Sequence, residues 1–373
     1  MARILVLWNQ VDDDVYVHYR RDDRRTVEWN PDLTVEPWET VQEEMDLIVR
    51  CLEEGGHEVV LVNIRDSFDT LVAALRESEP DAIMNLVEFF RDDPEQEHHV
   101  PGVYEMLGYQ YTGSRPLALS MCQKKPHAKA LLAAAGLPTP RGIVLDAPLV
   151  PADLSLAFPL IVKPAHDDAS GGIDSGSVVH DRAALEARVA QLFREGRGSA
   201  LVEEYIDGRE IHCAILGDEA LPLYEMQFKG GVDDDGRALP NIITYRAKWD
   251  PYSRDHHAVA PRCPVDDLSP AQVAAIQQIA LGAYRAVGCR DYARVDMRLS
   301  ASGQPYILEV NPNPDLADSC AFALCVRASG RTYAQAICQI ASYAVERNRL
   351  KPARYTGPTD VLLDEYLTRR AGG

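Results

Sequence analysis

The apolar positions of this chain change period as it proceeds. Arg3 to Trp8 is a nearly unbroken apolar run, the pattern of a strand covered on both faces. Val41, Met45, Ile48, Val49 and Leu52 then recur at helical spacing and stop at Gly55 and Gly56. Glu58 to Val62 reads as a strand, Leu71 to Leu75 as a helix and Ala82 to Leu86 as another strand. This βαβαβ alternation predicts a parallel sheet wrapped by helices. Residues 11–37 are polar and irregular and read as a solvated loop, with Tyr16, Tyr19 and the nearby arginines as an alternative substrate contact. Further on, a helix over Lys129–Ala135 stops at Gly136 and Pro138. A strand over 160–162, a helix over 183–193 and a strand over 200–205 follow. Strands are expected over 211–216 and 220–226, turning at Gly217 and Asp218. Residues 229–262 form a polar stretch of a length that is usually functional or disordered. Helices are predicted over 271–287 and 333–347, and the polar residues 349–373 read as a tail. No internal repeat is visible.

The most informative stretch lies between those two helices. Arg294 and Asp296 are two apart on a strand pattern and share a face. Glu309 and Asn311 do the same on the next strand, and a loop over 300–304 containing Gly303 joins the two as a hairpin. Two carboxylates and a carboxamide around one point suit Mg²⁺, which keeps waters and binds nucleotide phosphates. The guanidinium beside them can neutralise a transferring phosphoryl group or a developing oxyanion. The competing reading is a salt-bridged sheet surface.

Composition narrows the partners. The 373 residues call for two or three domains. A formal net charge of −19 argues against a nucleic-acid footprint and against docking on anionic lipid. An anionic ligand would need local lysines, arginines and a metal ion. The eight cysteines are scattered without a CxxC, which supports neither a zinc ribbon nor a thioredoxin motif. A reducing cytoplasm is the simplest compartment. The apolar start is too short for a signal peptide, and no 18-residue apolar run predicts a membrane span.

Lys163 stands at a strand end before the loop Ala165–Ser177, which contains Ser170, Gly171, Gly172 and Gly176. Such a loop can fold over phosphates and offer backbone N–H groups. It is not a Walker A loop, because the lysine precedes the glycines. A plain surface hairpin is the alternative. Glu203 at a strand edge and Glu210 after a turn are acceptors of the kind a purine amino group and ribose hydroxyls require; each is otherwise a charge on an exposed edge strand. No GxGxxG follows the first strand, so a dinucleotide fingerprint is absent.

In this order the parts resemble the ATP-grasp superfamily, and within it the D-alanine–D-alanine ligase-like group. The matching text runs from Asn85 to about Val345 and includes Gly108–Ser114, Lys125 with Pro126, Phe158–Pro164, Glu203–Glu210 and the metal hairpin. The resemblance implies an α/β fold, α+β in its ATP-grasp part. An N-terminal Rossmann-like domain would span 1–115, a central subdomain with the glycine loop 116–205, a C-terminal subdomain with the metal site 206–348, and a tail 349–373. It also implies roles. Lys125 and Lys163 would bind ATP phosphates. Glu203, with the backbone of Glu204, Tyr205 and Ile206, would hold adenine, and Glu210 the ribose. Lys248 would lie near the γ-phosphate and Ser170 near the first substrate. Asp296 and Glu309 would bind one Mg²⁺, and Glu309 and Asn311 a second, with Mn²⁺ as an alternative metal. Arg294 would stabilise an oxyanion.

The implied enzyme joins a small-molecule carboxylate to an amine through an acyl phosphate, releasing ADP and phosphate. No nucleic acid or membrane takes part, and a homodimer is left open. The text departs from the group after Asn311. Asp315 and Ala317 stand where a glycine and a threonine are usual, and Cys320 where a serine grips the second substrate's carboxylate. Trp249 replaces a usual tyrosine, and no glutamate near Asn9 matches the one that positions the first amine. Asp315 and Asp318 are expected to repel a substrate carboxylate and favour a cationic amine. A true D-alanine–D-alanine ligase with an unusual loop and a nucleotide-binding regulator without turnover remain the competing readings. The glycine loop, 170–176, is expected to be mobile until nucleotide closes it.

Overall fold

The computed structural model describes residues 1–11, 26–35, 39–166 and 170–350. The expectations for 12–25 and 36–38, for part of the glycine loop (167–169) and for the tail from 351 onward lie outside them.

The parallel sheet is present. Arg3–Trp8 lies between Glu58–Asn63 and Ala82–Leu86, parallel to both. The unbroken apolar run of the first strand is explained by two cores. Leu5 and Leu7 pack with Leu71, Leu75 and Tyr104, while Ile4, Val6 and Trp8 pack with Ile48, Leu52, Phe322, Ile337 and Ile340. Successive side chains point to opposite faces, so each layer needs its own set. The helix Val41–Glu54 starts on a capping box in which Thr40 and Glu43 satisfy each other's backbone N–H. The last helix, Tyr333–Arg349, closes the second core by packing on Val41–Glu54 and on Ala82–Leu86.

Two antiparallel sheets carry the rest. One has four strands in the order Gly142–Leu145, Ala200–Glu204, Leu160–Pro164, Val178–Val179, backed by the helix Arg182–Arg194. The other runs Val259–Arg262, Tyr224–Phe228, Gly208–Leu216, Tyr292–Ser300, Pro305–Asn311, with Glu219–Ala220 paired at one side. The helix Pro270–Ala286 covers its other face, with Ile276, Ala280 and Ala283 against Ile211, Val295 and Ile307.

Several elements differ from the expectation. The strand expected over 220–226 is split into Glu219–Ala220 and Tyr224–Phe228, with Pro222 in the break, because proline cannot donate to the ladder. The polar stretch 229–262 contains the short helices Tyr245–Trp249 and Arg254–His257, capped by Thr244 and Ser253, and an edge strand Val259–Arg262. Helices His99–Leu107 and Ala321–Ala328 were not legible. Neither has a side-chain cap, and the first contains Pro101 and Gly102.

The segment expected to separate the first two domains is bolted down. Asp291 accepts from the Gly113 N–H (3.0 Å) and from both terminal nitrogens of Arg347 (2.6 and 2.7 Å), and Arg290 donates to the Gly113 carbonyl (2.9 Å). The hairpin Thr26–Val27 with Asn30–Thr34 reaches the segment that carries the two short helices. There the Trp29 indole donates to the Tyr252 carbonyl (2.9 Å) beneath the Arg254 guanidinium (4.8 Å). Among the described residues no helix is long and apolar enough to cross a membrane.

Candidate active site

A cleft of about 110 Å³, open to solvent, lies between the two antiparallel sheets. Its walls include Lys125, Lys163, Ser170, Glu203, Glu204, Tyr205, Ile206, Glu210, Asp296 and Glu309, so ten of the expected site residues share one opening. Each arrives by a simple local route. Lys125 begins the helix Lys125–Ala134, and Lys163 lies near the end of the strand Leu160–Pro164. Glu203 to Ile206 leave the neighbouring strand, and Glu210 faces them from Gly208–Leu216.

Strand register brings together the side chains expected to bind metal. Arg294 pairs with Asn311 and Asp296 with Glu309 across the hairpin, and a bulge follows Asp296. Arg294 and Asn311 reach the cleft through Asp296. The guanidinium grips both its carboxylate oxygens (2.7 and 2.8 Å), and the Asn311 amide donates to one of them (3.0 Å). Burial raises the Asp296 carboxyl, but Arg294, with His212 and Lys248, outweighs it and holds the group well below the usual carboxylate range. Asp296 is therefore ionised and available to a cation. Lys248 stands on Tyr245–Trp249, close enough to act on Asp296 electrostatically, with its ammonium 5.1 Å from the Trp249 ring. Among the described residues no three His, Cys, Asp or Glu side chains converge as a ready-made cage. Two carboxylates and a carboxamide fit Mg²⁺, which commonly takes one or two carboxylates and completes its shell with phosphate and water.

Glu203 stands differently from its expected adenine role. Its carboxylate is buried between two ammoniums, Lys163 (2.7 Å) and Lys129 (closer still). Burial raises Glu203, but Lys163 and Lys129 outweigh it and hold it below the ordinary value; burial in turn lowers Lys129. Glu203 is thus an anchor for the Lys163 ammonium. The N–H groups of Glu204 and Tyr205 are taken by the carbonyls of Arg141 (2.9 Å) and Pro159 (3.1 Å).

Three contributors were missed: Lys129, Arg298 and His212. Arg298 pairs with Glu210 (3.0 Å), and His212 lies between Glu210 and Asp296. The signal was present. Lys129 follows Lys125 by four on one helix, Arg298 extends the Arg294–Asp296 alternation, and His212 follows Glu210 by two.

From residue 172 on, the glycine loop carries side-chain anchors. Arg188 donates to the Gly172 carbonyl (2.7 Å), Ser177 (2.9 Å) and Asp174 (2.8 Å), and Ser175 donates to Asp233 (2.8 Å). Gly172 has φ +67°, and a Cβ there would meet Pro164 at 2.7 Å, so only glycine fits. The departing loop is also partly neutralised. Asp318 is ion-paired with Arg327, while Asp315 accepts from the Ala317 N–H (2.8 Å) and the Cys320 thiol (2.8 Å). The repulsion expected from two carboxylates is reduced to that of one.

This fold and cleft define an ATP-grasp protein. The family model described as D-ala D-ala ligase C-terminus matches residues 135–342. The uncharacterized protein y4sG of Sinorhizobium fredii (strain NBRC 101917 / NGR234) is 35% identical over 312 residues, 81% of this chain and 87% of that protein. The D-alanine–D-alanine ligase of Polaromonas naphthalenivorans (strain CJ2) is 35% identical over 249 residues, 64% of this chain and 70% of its own. The crystal structure of the Bacillus anthracis D-alanine–D-alanine ligase complexed with ATP superposes with a TM-score of 0.67 at 22% identity, covering 93% of this chain and 98% of that one. The chain belongs to the D-alanine–D-alanine ligase family. It is an ATP-dependent ligase that forms an amide bond.

Proposed function

We propose that the enzyme activates a small carboxylate with the γ-phosphate of ATP and joins the resulting acyl phosphate to an amine. The carrying observation is that one cleft is lined by Lys125 and Lys163 together with Glu210, Asp296 and Glu309. Lys125 and Lys163 hold phosphate oxygens, with Glu203 fixing Lys163. The Ile206 end of the hinge meets adenine, Glu210 takes the ribose hydroxyls, and Lys248 approaches the γ-phosphate. Asp296, Glu309 and Asn311 hold Mg²⁺, two ions in this reading, and the metal supplies charge neutralisation for phosphoryl transfer. Arg294 stabilises the oxyanion formed when the amine attacks the acyl carbon. The loop bearing Ser170 and Gly171 excludes water, which would otherwise hydrolyse the acyl phosphate.

The substrates are a small carboxylic acid and a small amine, and the free cysteines favour a reducing cytoplasm. D-Alanine is a poor second substrate in this reading, because Asp315 brings a carboxylate where a glycine is usual and engages the thiol of Cys320, which stands where a serine is usual. Screening amino acids and amine-bearing metabolites for ADP release, with mass spectrometry of the products, tests both points. Robust D-alanyl-D-alanine formation from D-alanine alone would restore the parent activity of the family. ADP release with no ligated product for any amine would remove the ligation step.

A further inference from the structure

The strand register that pairs Asp296 with Glu309 on one side places His212 opposite Asp296 on the other. His212 is 7% exposed, and its ring stacks on Tyr224 with centroids 5.2 Å apart. Nε2 lies 3.3 Å from Glu210 Oε1, and Nδ1 lies 3.7 Å from Asp296 Oδ1. One ring therefore spans the carboxylate read as the ribose acceptor and the carboxylate read as a metal ligand. Each carboxylate has an arginine beside it as well as His212. Glu210 has Arg298, and Asp296 has Arg294. What His212 alone adds is the link between them.

Carboxylate oxygens only accept, so Nε2 carries the hydrogen shared with Glu210. Nδ1 is left facing Asp296. This nitrogen is buried and has no hydrogen-bond partner. Buried polar atoms left in this state are uncommon and call for a partner supplied by water, ion or ligand.

We infer that His212 is a positioning residue that couples the two ends of the nucleotide site. Its Nε2–H orients Glu210, and its Nδ1 edge positions the Asp296 carboxylate that would hold the cation. Outer-shell partners of this kind orient metal ligands and set their affinity. The inference rests on the reading of the cleft as an ATP and metal site.

Two variants test it. His212→Phe keeps the stack on Tyr224 and removes both nitrogens. His212→Gln keeps a donor for Glu210 but removes the ring nitrogen beside Asp296. Mn²⁺ affinity is measured by electron paramagnetic resonance with a non-hydrolysable ATP analogue present. Metal-free ADP affinity is measured by calorimetry, and folding by near-ultraviolet circular dichroism. Mn²⁺ affinity is expected to fall about tenfold or more in both variants. Metal-free ADP binding should weaken only in His212→Phe. Mn²⁺ affinity within twofold of the parent in either folded variant overturns the inference. A parent protein that binds neither ADP nor the Mn²⁺ complex would instead overturn the nucleotide reading beneath it.

Discussion

Replacing Glu203 by glutamine removes one charge and almost no volume, so its effect isolates electrostatics. In the parent the carboxylate is 1% exposed, and the Lys129 and Lys163 side chains are 10% and 9% exposed. At 2.7 Å and an effective dielectric near 20, the Lys163 pair has a gross attraction of about 6 kcal/mol. Desolvation of three buried charges offsets much of that. Removing one partner still leaves two ammoniums facing each other out of water, a situation that typically costs about 3–5 kcal/mol. Glu203→Gln should therefore lose about 3 kcal/mol in urea unfolding followed by circular dichroism, the low end of that range because the amide oxygen still accepts a hydrogen bond.

The deficit should depend on pH in a defined direction. Burial already holds Lys129 below its ordinary value, and loss of Glu203 deepens that depression. A lysine with a lowered folded value costs stability below that value, and the cost is relieved as pH rises toward the unfolded value of 10.5. The deficit should narrow between neutral pH and about pH 10. It should also narrow in acid. The parent's Glu203 is held below its ordinary value of 4.5, and its contribution disappears as pH falls through the folded value. A loss under about 1 kcal/mol that stays flat from neutral to alkaline pH would refute the reasoning.

Glu309→Gln should abolish ATP turnover while circular dichroism reports a folded protein, because one carboxylate is asked to bridge two cations; an active variant at ordinary Mg²⁺ would remove the metal site. Lys163→Ala should weaken ATP binding by about 1.5–3 kcal/mol in calorimetry, the size of a charge-assisted interaction, and unchanged affinity would mean that the phosphates lie elsewhere. Arg188→Ala should free the glycine loop, since three of its anchors come from that guanidinium. Hydrogen exchange over 170–177 should accelerate and KM for ATP rise, whereas unchanged exchange would show that the loop is held by other contacts.

The chemistry of the site was legible in one dimension wherever a period of two put functional groups on one strand face. Arg294 with Asp296 and Glu309 with Asn311 are such cases, and Lys163 was legible from its place at a strand end. So was the first sheet, because a run such as Arg3–Trp8 has few alternatives to a strand buried on both faces. Partner choice was not legible. Whether Glu203 meets adenine or two lysines depends on how the helix Lys125–Ala134 lies over the strand Ala200–Glu204, and spacing within either element carries no trace of that. Asp318 read as free charge until the helix Ala321–Ala328 brought Arg327 to it. His212 gained its place from interstrand register, which sets it opposite Asp296. The sequence by itself determined which groups share a face, since that follows from backbone geometry. The tertiary structure decided which charges meet, because a buried charge takes its partner from another element.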